Sequence, residues 1–184
     1  MVPGFVSWRS PLRGGDSETP QIRITVADHP LDEGYIREVA DYYAEEGYVV
    51  TRSADIRIAL CYPNTHGIGM ANLGFHTMYE LFNAIPGVAC ERVFLPDADE
   101  LNEYDKSGTP LLSLETQSRV RDFDLVAFSI SFETDYLNMA RMLQLSGIPV
   151  WSKDRTHFDP LVIMGGAASF LNPEPIADFT DVIA

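Results

Sequence analysis

A glycine-rich segment, residues 64–69 (NTHGIG), contains the side chain best suited to chemistry in this sequence. The imidazole of His66 can bind a metal ion or transfer a proton near neutral pH. Asn64 lies two residues earlier, and its amide oxygen can orient the ring by accepting a hydrogen bond from the other ring nitrogen. Gly67 and Gly69 leave room for a bulky ligand, and the helix predicted to follow offers free N–H groups to an anion. The alternative is a tight turn with an exposed histidine.

Two further segments of small residues follow predicted strands. The first (SISFE) contains Ser129 and Ser131, whose hydroxyls can hydrogen-bond a flat ligand without crowding it. The second (GGAAS) begins with Gly165 and Gly166 and has almost no side chains, which suits a large ligand lying along a sheet edge. Helix capping is the alternative interpretation of the first segment, and a strand-to-loop turn is that of the second.

Several common sites are incomplete in this sequence. In a dinucleotide motif G-x-G-x-x-G the third glycine would fall at Asn72. A hydrolase triad built on His66 lacks the elbow G-x-S-x-G. Cys61 and Cys90 lie in apolar contexts without Cys/His ligand spacing, which predicts buried free thiols and no zinc or iron–sulfur cluster held by this chain. The carboxylates of residues 97–105 are expected to face solvent.

Hydrophobic runs and periodicities predict alternating strands and helices. Strands are expected at residues 21–27, 56–62, 90–95, 123–130, 148–151, 161–164 and 181–184, and extended segments at 48–51 and 111–114. Helices are expected at residues 31–46, 70–85, 96–105 and 134–145. On the second of these helices one side is expected to carry Met70, Leu73, Gly74, Met78, Leu81, Phe82 and Ile85.

This alternation predicts an α/β fold, Rossmann-like or flavodoxin-like, with a doubly wound, mostly parallel sheet and helices on both faces. Ligands of such sheets bind beyond the carboxyl ends of the strands, which is where the three small-residue segments fall. Residues 1–52 are expected to form an N-terminal extension with an irregular lead-in and a strand-helix-strand unit. Residues 53–184 are expected to form the main domain, truncated at its C-terminal end.

The chain is acidic, with a formal net charge of −14. Phosphates would be repelled, so neither a nucleic acid nor an anionic membrane surface is expected as a partner. The sequence has no apolar run long enough to span a membrane and no secretory signal, which predicts a cytoplasmic protein.

The three segments together resemble the signature of cobalamin-binding domains, D-x-H-x-x-G followed by S-x-L and G-G. Asn replaces Asp in the first part, Ser replaces Leu in the second, and the distance between these two parts is longer than usual. The resemblance implies that His66 is the lower axial ligand of cobalt. The cofactor-binding residues that it implies are Asn64, His66, Gly67, Gly69, Ser129, Ser131, Gly165 and Gly166.

A longer likeness covers about residues 56–184, in strings such as YPNTHGIGMANLGFHTMYELFN and FDLVAFSISFETDYLNMARML. These resemble the N-terminal domain of a group of radical S-adenosylmethionine (SAM) proteins, in which an aromatic residue often stands at the position of His66. The catalytic half of that group carries C-x-x-x-C-x-x-C, which binds a [4Fe–4S] cluster and SAM and does not occur here.

The resemblance implies an accessory domain that binds a corrinoid and adjoins a C-terminal radical SAM domain of the same polypeptide. This chain alone is then not expected to be catalytic. One alternative is a scaffold without a cofactor that docks substrate, a partner or a second copy of the chain. Another is a site for a small nucleotide or flavin at the same edge.

Overall fold

The computed structural model describes residues 6–9, 23–26 and 54–184 of the chain, which divides into two compact units, Met1–Val49 and Val50–Ala184. In the first unit, strands β1 (Val6–Arg9) and β2 (Arg23–Val26) pair antiparallel, and β2 confirms the strand predicted within residues 21–27. The helix predicted at 31–46 and the extended segment at 48–51 lie outside the described residues. The predicted boundary after residue 52 and the truncation stay predictions.

The second unit contains a five-stranded parallel sheet with the order β4-β3-β5-β6-β7. Its strands are β3 (Ile56–Tyr62), β4 (Val88–Phe94), β5 (Leu125–Ser129), β6 (Leu161–Gly165) and β7 (Val182–Ile183). Every neighbouring pair is parallel. Counted from β3, this is the flavodoxin order, so the predicted α/β doubly wound fold is confirmed.

The helices of this unit lie between the strands, as the alternating pattern predicts. They are α1 (His66–Met70), α2 (Leu73–Asn83), α3 (Ala98–Ser107), α4 (Tyr136–Leu145) and α5 (Ala167–Leu171). Asp97 begins α3 with a capping box, in which its carboxylate accepts from N–H groups of the first turn. Gly147, with φ +68°, follows the end of α4 as predicted.

The helix predicted from about residue 70 to 85 is confirmed as α2, which begins at Leu73, after a break that separates it from α1. Asn72 has extended backbone and its Oδ1 accepts a hydrogen bond from the N–H of Phe75 at 2.9 Å. This is N-cap geometry, which starts a new helix. A side chain that satisfies a free N–H therefore sets the start of α2 and separates it from the short helix α1, which the apolar periodicity did not predict.

The side of α2 that was expected to carry Leu73, Met78 and Leu81 is not its buried side. Phe75 and Tyr79 are buried against β3 and β4, whereas Leu73 is 81% exposed and Leu81 is 56% exposed. The rings of Phe75 and Tyr62 meet edge to face with centroids 5.4 Å apart. Aromatic residues four apart thus form the core contact of α2, and the aliphatic residues face outward.

Two expected extended segments do not join the sheet. Residues 148–151 are not a strand, and the guanidinium of Arg155 instead donates to the carbonyls of Pro149 (2.9 Å) and Val150 (3.4 Å). Within 111–114, Leu112 forms one antiparallel bridge with Arg119. The carbonyls of Pro149 and Val150 thus have a partner outside the central sheet, which removes the need for a ladder there. In the other segment, the N–H of Leu114 donates to the carbonyl of Arg92 in β4, but no further strand ladder forms.

The sheet is covered by helices on both faces. On one face α2 packs over β3 and β4, and on the other α4 contributes Met139, Met142 and Leu143 to the larger core. Cys61 and Cys90 are buried free thiols, as predicted. Among the described residues no helix is long and apolar enough to cross a membrane.

The open edge of β4 is protected by the segment that follows α3. The N–H of Leu114 donates to the carbonyl of Arg92 at 2.8 Å, and the N–H of Arg92 donates to Glu115 at 2.7 Å. Glu115 also forms a buried ion pair with the Arg92 side chain at 2.8 Å. This arrangement occupies hydrogen-bonding groups that an edge strand would otherwise expose.

Candidate functional site

The three small-residue segments lie at one edge of the sheet. They follow β3, β5 and β6, which are adjacent and parallel, so their carboxyl ends point the same way. The strand order reverses beside β3, because the chain goes from β3 outward to β4 and then returns to β5. A crevice at such a switch point is the usual ligand site of this fold.

His66 is the first residue of α1, so the expected tight turn is a short helix. Its half-buried ring lies edge-on against the ring of Phe94, with centroids 5.0 Å apart. A side chain at Gly69 would overlap Phe94, which means that this glycine permits close packing of α1 on the sheet. Of the two glycines in this segment, Gly67 has open space, because a Cβ there would meet no described atom within 4 Å.

Asn64 holds the chain just before α1. Its Oδ1 accepts from the N–H of Thr65 at 2.9 Å, and its Nδ2 donates to Oδ1 of Asp135 at 3.2 Å. Close by, Nδ2 of Asn138 donates to the carbonyl of Pro63 at 2.9 Å. The loop after β3 is thereby joined to the start of α4 by two hydrogen bonds. That Asn64 also orients His66 stays a prediction.

The segment after β5 is tied to α2 by a polar group of three side chains. Nδ2 of Asn72 donates to Oγ of Ser131 at 3.1 Å and to the hydroxyl of Tyr62 at 3.3 Å, and that hydroxyl donates to Ser131 at 3.4 Å. Ser129 ends β5 and lies in register with Gly165 of β6. Asn72 and Tyr62 were not among the predicted site residues, because their polar atoms meet Ser131 only in the folded chain.

Gly165 and Gly166 pack against the loop after β5. The N–H of Ile130 donates to the carbonyl of Gly165 at 2.9 Å. Gly166 has φ +106°, and a Cβ there would lie 2.5 Å from the carbonyl oxygen of Ile130. The close approach of two loops accounts for the glycine at 166, independently of any ligand.

Among the described residues, Asp135 is a buried carboxylate at this edge, and the sequence patterns did not single it out. Asp135 is 2% exposed. Burial raises the pKa of its carboxyl above the ordinary 3.8, although hydrogen bonding by the Asn64 side chain and the Phe132 backbone acts to lower that pKa. Its sequence context is that of an ordinary acidic helix start, which gives no signal of burial.

Metal binding at this edge would rely on few protein donors. Within residues 54–184 and the two short described strands, no group of three or more His, Cys, Asp or Glu side chains could hold a metal ion. His66 is the nitrogen donor that the fold brings to the end of β3.

Comparison with known proteins connects this chain to one family. The family model for the N-terminal region of radical SAM proteins matches residues 74–184. An uncharacterized protein of Methanocaldococcus jannaschii is 24% identical over 127 residues, which are 68% of this chain and 22% of that protein. The chain therefore spans about a fifth of the length of that relative.

A solved structure also resembles this chain. It is the crystal structure of a cobalamin-binding protein from Desulfitobacterium hafniense, which is 16% identical, with a TM-score of 0.37. The likeness covers 82% of this chain and 61% of the other.

Proposed function

Because this chain belongs to the family of N-terminal regions of radical SAM proteins, we propose that its second unit is a cobalamin-binding accessory domain of a radical SAM enzyme. The observation that carries the proposal is the convergence of three small-residue segments at one sheet edge, with a half-buried imidazole on the first. The cysteine motif for a [4Fe–4S] cluster and SAM is missing from this sequence, so we assign that chemistry to a further C-terminal domain of the parent polypeptide.

The donors at this edge fit a corrinoid better than a free metal ion. A corrin ring supplies most of the nitrogen donors of its own cobalt, so the protein would have to provide one further donor. His66 offers an imidazole at the end of β3, and the open space at Gly67 lies beside it. When bound, cobalamin would supply a carrier for a methyl group on its way to a substrate.

The chain's own residues would bind the cofactor and hold its surroundings in place. Asn64 and Asn138 fix the loop before His66, through Asp135 and Pro63 respectively. Ser129 and Ser131 would offer hydroxyls to the ligand, and Gly165 and Gly166 would form a wall without side chains. These roles follow from position at the edge and are part of the proposal.

Titration with hydroxocobalamin tests the proposal. We expect the visible spectrum of the corrinoid to remain with the protein after desalting. His66→Ala should change that spectrum if the imidazole is the lower ligand, whereas His157→Ala, at an exposed histidine, should not. Loss of all bound corrinoid from the parent protein would refute the binding proposal. Equal spectra for parent and His66→Ala would refute only the ligand role of His66.

A scaffold function is the second candidate, favoured by the outward face of α1 and α2. Ile68 of α1, Leu73 and Leu81 of α2, and Ile85 just after α2 are exposed, although they are apolar. Such a face suits a second copy of the chain. Sedimentation velocity should then show a dimer that Leu73→Lys dissociates, and a monomer at all concentrations would exclude this function.

A further inference from the structure

One carboxylate oxygen of Asp135 is buried without a hydrogen-bond donor in the described part of the chain. Its Oδ1 accepts the hydrogen bond from Asn64, but its Oδ2 is buried and has no hydrogen-bond partner among the described residues. None of the ion pairs among the described residues includes Asp135. A buried carboxylate oxygen without a donor destabilises a fold, so it calls for a reason other than stability.

The position of Asp135 suggests that reason. It directly precedes α4 in the connection that follows β5, and its partner Asn64 lies in the loop that follows β3. These two strands are neighbours at the point where the strand order reverses. The free oxygen therefore belongs to a side chain that joins the two loops flanking the expected ligand crevice.

We propose that Asp135 is a ligand-binding residue whose Oδ2 accepts a hydrogen bond from an N–H or O–H group of the ligand held between the loops after β3 and β5. The inference rests on the proposed function. A corrinoid carries primary amides around its ring, and these are donors of the required chemistry. A bond to a carboxylate is stronger than one to a neutral acceptor, so Asp135 would select ligands with donors at that point.

The variant Asp135→Asn tests this inference, because it keeps the size of the side chain and an oxygen for Asn64. It removes the buried charge and replaces one acceptor by a donor. We expect the melting temperature of the ligand-free protein to stay the same or rise, while the dissociation constant for hydroxocobalamin rises about tenfold. Asp178→Asn makes the same chemical change at an exposed position and should alter neither value.

The outcomes separate the two proposals. Weaker binding by a variant that is at least as stable as the parent supports the inference, since a purely structural role would not lower affinity without lowering stability. Unchanged binding overturns the inference and leaves the proposed function intact, and joint loss of stability and binding also overturns it. A parent protein that binds no corrinoid overturns both.

Discussion

At the scale of single residues, glycines at this sheet edge differ in what surrounds them. Gly69 allows α1 to approach Phe94, and Gly166 allows two loops to meet, so both are explained by packing. Gly67 has open space around its Cβ position, so packing does not explain this glycine. The sequence predicted all of these positions as site residues, but spacing alone could not separate packing glycines from a ligand-facing one.

Alanine substitutions should distinguish these glycines. Gly166→Ala is expected to destabilise the protein by about 2 kcal/mol or more, because the new Cβ would meet the backbone of Ile130 and the positive φ disfavours alanine. Gly67→Ala is the matched control, since it adds a methyl group to a helix in open space and should change stability by less than about 1 kcal/mol. Urea unfolding measures both, and equal effects would contradict the packing explanation.

Asp135 should give the protein a specific pH dependence. Its pKa is raised in the folded state, so the folded chain holds a proton more tightly than the unfolded chain does. Stability contributed by this group is therefore present below the unfolded value of 3.8 and is lost as pH rises through the folded pKa. The gain in unfolding free energy from Asp135→Asn should be larger at pH 7 than at pH 4. A gain that is independent of pH would contradict this account.

At the scale of elements, the break between α1 and α2 connects the fold to the candidate site. Asn72 caps α2 with its oxygen and donates to Ser131 and Tyr62 with its nitrogen. One side chain thus fixes both the start of a helix and the loop after β5. A pattern of apolar residues cannot reveal this double role, because the second partner is 59 residues away.

Two substitutions separate the roles of Asn72. Asn72→Ala should lower the unfolding free energy by about 1–2 kcal/mol, the range for loss of an N-cap. Asn72→Asp keeps a capping oxygen but loses the donor to Ser131, so it should restore most of the stability. Asn102→Ala on exposed α3 is the control and should stay within about 0.5 kcal/mol of the parent. Equal losses for both Asn72 variants would show that the network outweighs the cap.

At the scale of the whole molecule, charge is the dominant feature. The formal net charge of −14 results from 27 acidic and 13 basic residues. Such an excess of negative charge repels itself in the compact state. It is consistent with a ligand that is recognised through neutral polar groups, as proposed for the edge beside His66.

Added salt should therefore stabilise this protein. Raising NaCl from 10 mM to about 300 mM screens the repulsion and should raise the melting temperature by about 2–4 °C, equivalent to roughly 1 kcal/mol. The double variant Glu80→Lys/Asp178→Lys reverses two exposed charges and should show a smaller increase. A melting temperature that falls with salt would mean that surface ion pairs outweigh the repulsion.

The sequence by itself determined the parallel α/β fold, the five strands of the main sheet and the edge at which the three segments meet. These follow from local apolar runs and from the geometry that parallel strands impose on their connections. Only the tertiary structure decided which side of α2 is buried, that residues 148–151 leave the sheet, and that Asp135 is buried against Asn64. Each of these depends on a partner distant in sequence, as with Asn64 and Asp135, whose sequence separation is 71, and no local pattern encodes such a contact.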